Sequence, residues 1–165
     1  MTANSIGADD VHPAARPQAH ARSAGGASPA LPVISTGARW AGRVVSGLVA
    51  AFLLFDAVLK LVKPPFVVEG TVKLGYPAEV IVPLGLVLLV STLLYLAPRT
   101  APFGAVLLTG YLGGAIATHV RVGDPLASHV LFPVYVAVMV WGGLWLRDAR
   151  LRALAARDRS REQHA

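Results

Sequence analysis

The long apolar runs in this sequence contain or end at several ionisable residues, among them Asp56, Lys60, Glu79, His119 and His129. A carboxylate and an imidazole can exchange protons near neutral pH, and both can hydrogen-bond the polar head group of a quinone. Two histidines and a carboxylate could also bind a metal, but their spacing here does not match a metal motif. A haem held between the two histidines is a further alternative. These residue types therefore favour proton exchange or head-group binding, and no metal site is predicted.

The composition is typical of a membrane protein. Hydrophobic residues make up 55% of the chain and charged residues 15%, whereas a soluble domain carries about 25% charge, and the mean hydropathy is +0.58. The absence of cysteine excludes disulfides, thiol chemistry and cysteine-ligated iron–sulfur clusters. Any electrons must therefore travel on a bound cofactor or a partner. The net charge of +6 is assigned to arginines at the ends of spans, and no nucleic-acid partner is predicted.

Four apolar runs are long enough to cross a bilayer as helices, at residues 40–62, 77–97, 101–120 and 128–146. A helix of about 20 residues spans the hydrocarbon core. Residues 66–74 lie between Pro65 and Gly75, which suit the start and end of a helix. They predict a short interfacial helix between the first two spans, with an ordered loop as the alternative. The predicted fold is an all-α integral membrane four-helix bundle.

The ends of the chain differ from this core in composition. Residues 1–38 are rich in alanine, proline, serine and glycine and are predicted to form a disordered tail, and residues 151–165 form a basic tail around a domain at 39–150. Four spans place both tails and the loop at Arg99 on one side. That side carries 11 of the 15 lysines and arginines. The excess predicts a multi-pass protein of the cell membrane with both termini in the cytoplasm.

This topology brings the ionisable residues into one layer at the extracytoplasmic end. The candidate polar layer comprises Asp56, Lys60, Glu79, His119, Arg121 and His129, with Asp124 at its border. Ionisable groups in a span are costly and are functional candidates for that reason. Asp56 and Lys60 are four residues apart on one helix and could neutralise each other. The alternative for the others is that they are polar helix ends at the level of the lipid head groups.

Helix packing within lipid depends on small residues that let backbones approach closely. Gly110, Gly114 and Thr118 recur at four-residue spacing in the third span. This spacing predicts a packing face against another helix, which Gly113 widens, and Gly142 and Gly143 could serve likewise in the fourth span. Pro83 and Pro133 predict kinks in the second and fourth spans.

Residues 74–154 resemble the DoxX-like family of small membrane proteins. The resemblance is carried by LGYP at 74–77, by the run at 93–125 and by the run at 131–154. Its most specific part extends from Gly113 to Arg121 and includes His119, the first candidate for a site residue. The span with Asp56 fits the same pattern, whereas Glu79 departs from it. The resemblance implies a four-helix membrane bundle, and some relatives are associated with quinone-linked or other membrane oxidoreductases.

Three functions follow as alternatives. The first is a membrane subunit of a quinone-linked oxidoreductase system, with a membrane or soluble redox partner and a quinone as candidate cofactor. The second is a small proton-coupled transporter, for which Asp56 would be the necessary carboxylate. The third is a structural or assembly partner held by its glycine faces. The sequence leaves open whether the chain is itself an enzyme.

Overall fold

The computed structural model describes residues 35–154, and within that range the chain forms helices and no strand. The helices are α1 (Thr36–Val62), α2 (Pro65–Lys73), α3 (Ile81–Leu96), α4 (Ala101–Val122) and α5 (Phe132–Arg147). A 3-10 turn at Ala78–Val80 leads into α3, and a π-helical turn at Leu126–Val130 precedes α5. The predicted tails lie outside the described residues except for 35–38 and 151–154.

Four helical segments are long and apolar enough to cross a membrane, at Thr36–Val62, Ala78–Leu96, Ala101–Val122 and Leu126–Arg147. The predicted all-α fold with four spans is therefore confirmed. The first span begins four residues earlier than Trp40, where the sequence placed it. The reason is a helix cap, because the Ser35 side chain accepts a hydrogen bond from the Ala38 N–H at 3.2 Å.

The segment after the first span is a helix, as predicted, and not an ordered loop. Lys63 ends α1 in the left-handed conformation (φ 54°), and its N–H bonds the Leu59 carbonyl at 2.9 Å. Pro65 then occupies the first turn of α2, where its missing N–H costs nothing. The next left-handed residue is Gly75 (φ 80°), just beyond α2. Two sharp turns thus bound this short helix.

The four long helices form a ring in which consecutive neighbours run antiparallel. Helix α1 packs against α3 and α5, and α4 packs against the same two helices. Buried side chains such as Leu53, Leu88 and Leu108 fill the centre. Large apolar side chains also cover the outside, including Phe55 on α1 and Phe103 on α4, which is 72% exposed. An apolar exterior of this kind suits contact with lipid.

The helices approach one another most closely at four glycines, Gly42, Gly85, Gly104 and Gly143. A Cβ atom on Gly104 of α4 would lie 2.2 Å from the backbone nitrogen of Tyr95 on α3. A Cβ on Gly143 of α5 would lie 2.6 Å from the Ser46 hydroxyl on α1. Such contacts leave no room for a side chain, so glycine is what allows these helices to touch.

The glycines predicted to form the packing face lie elsewhere. Gly110, Gly113 and Gly114 are exposed, and no atom lies within 4 Å of the position that a Cβ would take on any of them. Within the described chain this face therefore makes no close contact between helices, in contrast to the expectation from its spacing. Thr118, four residues on, is buried. The spacing identifies a smooth helix face but does not say whether another helix covers it.

Both prolines predicted to kink a span lie in the first turn of a helix. Pro83 follows the 3-10 turn that precedes α3, and Pro133 is the second residue of α5, directly after the π-helical turn. Proline has no N–H to bond the carbonyl four residues earlier, so regular α-helical bonding cannot extend through these turns. The irregular turns mark the end of the bundle where α1 and α4 finish. This end, with the α4–α5 connection at 123–131, is called the histidine end. The opposite end, with the α3–α4 turn at 97–100, is the arginine end.

Candidate functional site

A cavity of about 790 Å³ opens at the histidine end of the bundle. Its walls come from α1, α2, α4 and α5, whereas α3 contributes only Leu84. Aromatic side chains form much of the apolar wall, and the rings of Phe52 and Phe132 meet edge to face with centroids 5.6 Å apart. The polar side chains at this cavity include Asp56, Lys60, Thr118, His119, Asp124 and His129. Cavities of this size with a few polar groups are typical of small-molecule sites.

His119 and Asp124 form a paired unit at the cavity. Gly123 ends α4 in the left-handed conformation (φ 73°), and the backbone N–H of Asp124 returns to the His119 carbonyl at 3.0 Å. The turn brings Oδ2 of Asp124 to 2.6 Å from Nδ1 of His119. A carboxylate only accepts hydrogen bonds, so Nδ1 carries the proton and Nε2 is the ring atom left for a ligand.

A second imidazole lies beside the first. The His129 ring centroid is 5.6 Å from that of His119, with the two ring planes inclined at 59°. His129 lies on the π-helical turn, where its Nδ1 is 2.8 Å from the Ser128 hydroxyl. Turns of this kind are frequent at functional sites. The structure therefore brings together two histidines that are ten residues apart in the sequence.

Asp56 and Lys60 form an ion pair on the α1 side of the cavity. The Lys60 Nζ lies 2.6 Å from both carboxylate oxygens of Asp56. The Asp56 side chain is 35% exposed and the Lys60 side chain is 19% exposed. The i,i+4 spacing thus lets the two charges neutralise each other, which was the predicted alternative to a functional role. Asp56 lines the cavity as a compensated charge and not as an isolated carboxylate.

The chain after α2 is fastened to the last turns of α4. Tyr76 Oη lies 2.8 Å from Thr118 Oγ1, whose own hydroxyl donates to the Gly114 carbonyl at 2.9 Å, so Tyr76 is the donor of the first bond. The Arg121 guanidinium donates to the Leu74 carbonyl and lies 5.9 Å from the centroid of the Tyr76 ring. No spacing signal in the sequence connects Tyr76 to a residue 42 positions away.

Four of the six residues predicted for the polar layer meet at the cavity, namely Asp56, Lys60, His119 and His129. Glu79 does not, because the 3-10 turn after Pro77 leaves it exposed and outside the cavity lining. Arg121 also lies outside the lining and instead holds the segment after α2. The sequence reasoning missed Tyr111, which lines the cavity from α4 and brings a hydroxyl group to it.

The arrangement can hold an amphipathic molecule with a flat or branched apolar body. The aromatic walls offer apolar contact, Nε2 of His119 offers an acceptor, and the Lys60 ammonium and Tyr111 hydroxyl offer donors. Asp124 fixes the orientation and the tautomer of the imidazole through its bond to Nδ1, as a carboxylate does for a ligating histidine. The site thus combines a proton acceptor with head-group donors in an apolar setting.

Comparison with known proteins extends this description. Residues 44–143 match the model of the DoxX-like family, and this stretch contains all the residues that line the cavity at the histidine end. No curated protein and no solved structure gave a significant match to the chain. The family match covers more than half of the 165 residues and confirms the resemblance seen in the sequence. The four-span chain belongs to the DoxX-like family.

Proposed function

We propose that the chain is the membrane subunit of a quinone-linked oxidoreductase system and that the cavity at the histidine end binds the quinone head group. The observation that supports this most directly is the His119–Asp124 pair on a largely apolar cavity of about 790 Å³. A bound quinone supplies two-electron, two-proton chemistry. The protein must then provide an apolar chamber, hydrogen-bond donors for carbonyl oxygens and a group that takes up protons.

The residues present fit these requirements. Lys60 and Tyr111 are the donors for carbonyl oxygens, and Nε2 of His119 is the acceptor for the hydroxyl of the reduced form. Asp124, at 2.6 Å from Nδ1, fixes the tautomer that leaves Nε2 of His119 available to take a proton from the reduced form. His129 lies close enough to pass that proton onward through a bridging water, since the ring centroids are 5.6 Å apart.

A subunit role is supported by what the chain contains. It has no cysteine, so it carries no thiolate-bound metal cluster of its own. Electrons would therefore reach the cavity from a separate redox partner in the membrane or in solution. The excess of basic residues on the side of the termini supports an orientation with both termini in the cytoplasm and the cavity at the extracytoplasmic face of the cell membrane.

The geometry at Asp56 favours this role over proton-coupled transport. A transporter of that kind needs a membrane carboxylate that gains and loses a proton during the cycle. Asp56 is instead held by Lys60 through both carboxylate oxygens at 2.6 Å. It suits a fixed polar wall better than a proton carrier.

The test is quinone content after purification in a mild detergent, for wild type, His119→Ala, Asp124→Asn and Glu79→Gln. Glu79 is exposed and outside the cavity lining, so its substitution is the matched control. We expect wild type and Glu79→Gln to retain about one quinone per chain, His119→Ala to retain none, and Asp124→Asn to bind about tenfold more weakly.

A thermal titration with a short-chain quinone checks the same affinities independently of co-purification. A ligand present at 100 times its Kd stabilises the folded protein by about 2.7 kcal/mol. The unfolding temperature of each variant without quinone shows whether the substitution has damaged the fold. Absence of quinone binding by wild type would refute the proposal, and so would equal binding by all four proteins, which would indicate partition into the detergent micelle.

A further inference from the structure

A second cavity, of about 550 Å³, lies at the arginine end of the bundle. It is bordered by the start of α1, the α3–α4 turn and the end of α5. Its lining includes Arg43, Pro98, Arg99, Leu144, Arg147 and Arg150. Arg147 and Arg150 are close in the sequence, but Arg43 and Arg99 are far from them and from each other, and the antiparallel packing of the helices brings all four to one cleft. The name arginine cleft is used for it below.

The arginine cleft has a strong excess of positive charge. Four arginines and one aspartate line it, which leaves a net charge of +3. The aspartate, Asp148, accepts a hydrogen bond from the backbone N–H of Arg150 at 2.9 Å. Within residues 35–154 no carboxylate lies within salt-bridge distance of any of the four guanidinium groups. Four cations that share one concave site with a single carboxylate attract a further anion.

One of these cations is held rigidly. The Arg147 Nη2 donates to the Tyr95 carbonyl at 2.6 Å, and its guanidinium carbon lies 4.7 Å from the centroid of the Tyr95 ring. Tyr95 is itself completely buried, and its hydroxyl donates to the Val140 carbonyl at 2.9 Å. A guanidinium has five N–H donors, so Arg147 keeps donors for a ligand while its position is fixed in advance.

The surroundings of the arginine cleft indicate which anion it would bind. Trp40 and Trp145, 62% and 42% exposed, lie at the same end of the bundle, and tryptophan is enriched where a span meets the head-group region. Phe103, near the start of α4, is also exposed. Arginine matches the oxygens of a phosphate group better than lysine does, because its donors form a planar fork. We propose that the arginine cleft binds the phosphodiester head group of an anionic membrane phospholipid.

This site is independent of the proposed quinone function, because it lies at the other end of the bundle and shares no lining residue with the first cavity. Basic pockets between spans are known to bind anionic head groups, and each arginine near an anionic surface changes the affinity about fivefold. Removing both Arg43 and Arg99 should therefore weaken binding roughly 25-fold. Arg147 is not a suitable probe, because it also satisfies a backbone carbonyl at the end of α3.

The experiment measures phosphatidylglycerol bound to the purified full chain by native mass spectrometry, together with the unfolding temperature during a phosphatidylglycerol titration. The proteins are wild type, Arg43→Gln, Arg99→Gln, the double variant and Arg39→Gln. Arg39 lies one turn before Arg43 on α1 and is exposed, but it does not line the cleft. It therefore controls for the loss of a positive charge at the same end. Phosphatidylcholine and soluble glycerol 3-phosphate serve as the zwitterionic and lipid-free probes.

We expect wild type and Arg39→Gln to bind phosphatidylglycerol with the same affinity, with a loss of about fivefold in each single cleft variant. Phosphatidylcholine should bind much more weakly to all of them. Equal weakening by Arg39→Gln would show a general surface attraction and overturn the site. If glycerol 3-phosphate competes for the cleft as effectively as phosphatidylglycerol does, the cleft binds a soluble phosphate compound. That result would overturn the lipid proposal. Unchanged unfolding temperatures in pure phosphatidylcholine establish that the variants fold.

Discussion

Substitution of Gly104 by alanine should separate two helices that now touch through their backbones. A Cβ at this position would lie 2.2 Å from the nitrogen and 2.6 Å from the Cα of Tyr95, and 2.7 Å from the carbonyl carbon of Leu94. All three are backbone atoms of α3, so no rotation of a side chain can relieve the clash. Ordinary contact begins at 3.4 Å, and α3 and α4 must therefore move apart at this point.

The cost follows from what that movement disturbs. Ala101, Ala105 and Leu108 of α4 are buried on the same side of the helix, and Tyr95 is buried opposite them. A shift of about 1 Å loses a large part of the dispersion energy of each contact. Overpacking of a well-packed core costs up to about 3 kcal/mol. For a chain of this size that loss lowers the unfolding temperature by roughly 6–12 °C.

The assay is thermal unfolding of the purified protein in one detergent, with Gly110→Ala and Gly114→Ala as matched controls. Both control positions are on the same helix, and a Cβ there would meet no atom within 4 Å. Alanine is favoured over glycine in a helix by up to about 1 kcal/mol, so these two variants should be as stable as wild type or slightly more stable. An unaffected Gly104→Ala variant would refute the reasoning, as would Gly110→Ala and Gly114→Ala variants that are as damaged as Gly104→Ala.

Three further outcomes are expected from the same structure. Lys63→Gly should be about 1 kcal/mol more stable than Lys63→Ala in thermal unfolding, because Lys63 has φ 54° and only glycine adopts this conformation without strain. Equal stabilities of the two variants would contradict this. Tyr95→Phe should destabilise the bundle by about 1–2 kcal/mol in the same assay, since it leaves the Ser46 hydroxyl without this partner, whereas an unchanged midpoint would mean that the bond contributes nothing. Arg121→Gln should speed amide hydrogen exchange in α2 about tenfold, because it removes a hydrogen bond to the Leu74 carbonyl worth roughly 1.5 kcal/mol. Unaltered exchange would show that this bond does not hold the chain after α2 in place.

The spans could be predicted from the sequence because lipid imposes a simple requirement. A helix that crosses a bilayer needs about 20 apolar residues whatever it packs against. The run from Ala101 onward can therefore be recognised as a membrane span without knowledge of the other helices. The short helix after Pro65 was also accessible, since proline and glycine bound it. The extension of α1 to Thr36 was not seen, because it depends on a single cap at Ser35.

Which glycines pack against a helix could not be predicted in the same way. Gly110 and Gly114 have the spacing of a packing face but face open space, whereas Gly104 has no such partner in sequence and meets a backbone. The difference arises from the rotation of α4 within the ring, which the sum of all helix contacts determines. Sequence spacing contains no information about that rotation.

The candidate site shows the same division between local and long-range information. The Asp56–Lys60 pair follows from helical spacing and was among the alternatives before the structure was known. The position of Glu79 outside the cavity depends on how the chain turns after Pro77. The bond from Tyr76 to a residue 42 positions away depends on tertiary packing and has no local signature.

The distribution of close contacts determines where this bundle can move. Helix α5 touches α1 through Gly143, and α4 touches α3 through Gly104, both in the half nearer the arginine end, whereas α1 and α3 also touch through Gly85 towards the other end. Close backbone contacts therefore join α5 to α1 and α4 to α3 in the half nearer the arginine end. A bulky molecule that enters at the histidine end would therefore move the ends of α4 and α5 outward only by loosening the bonds from Tyr76 to Thr118 and from Arg121 to Leu74.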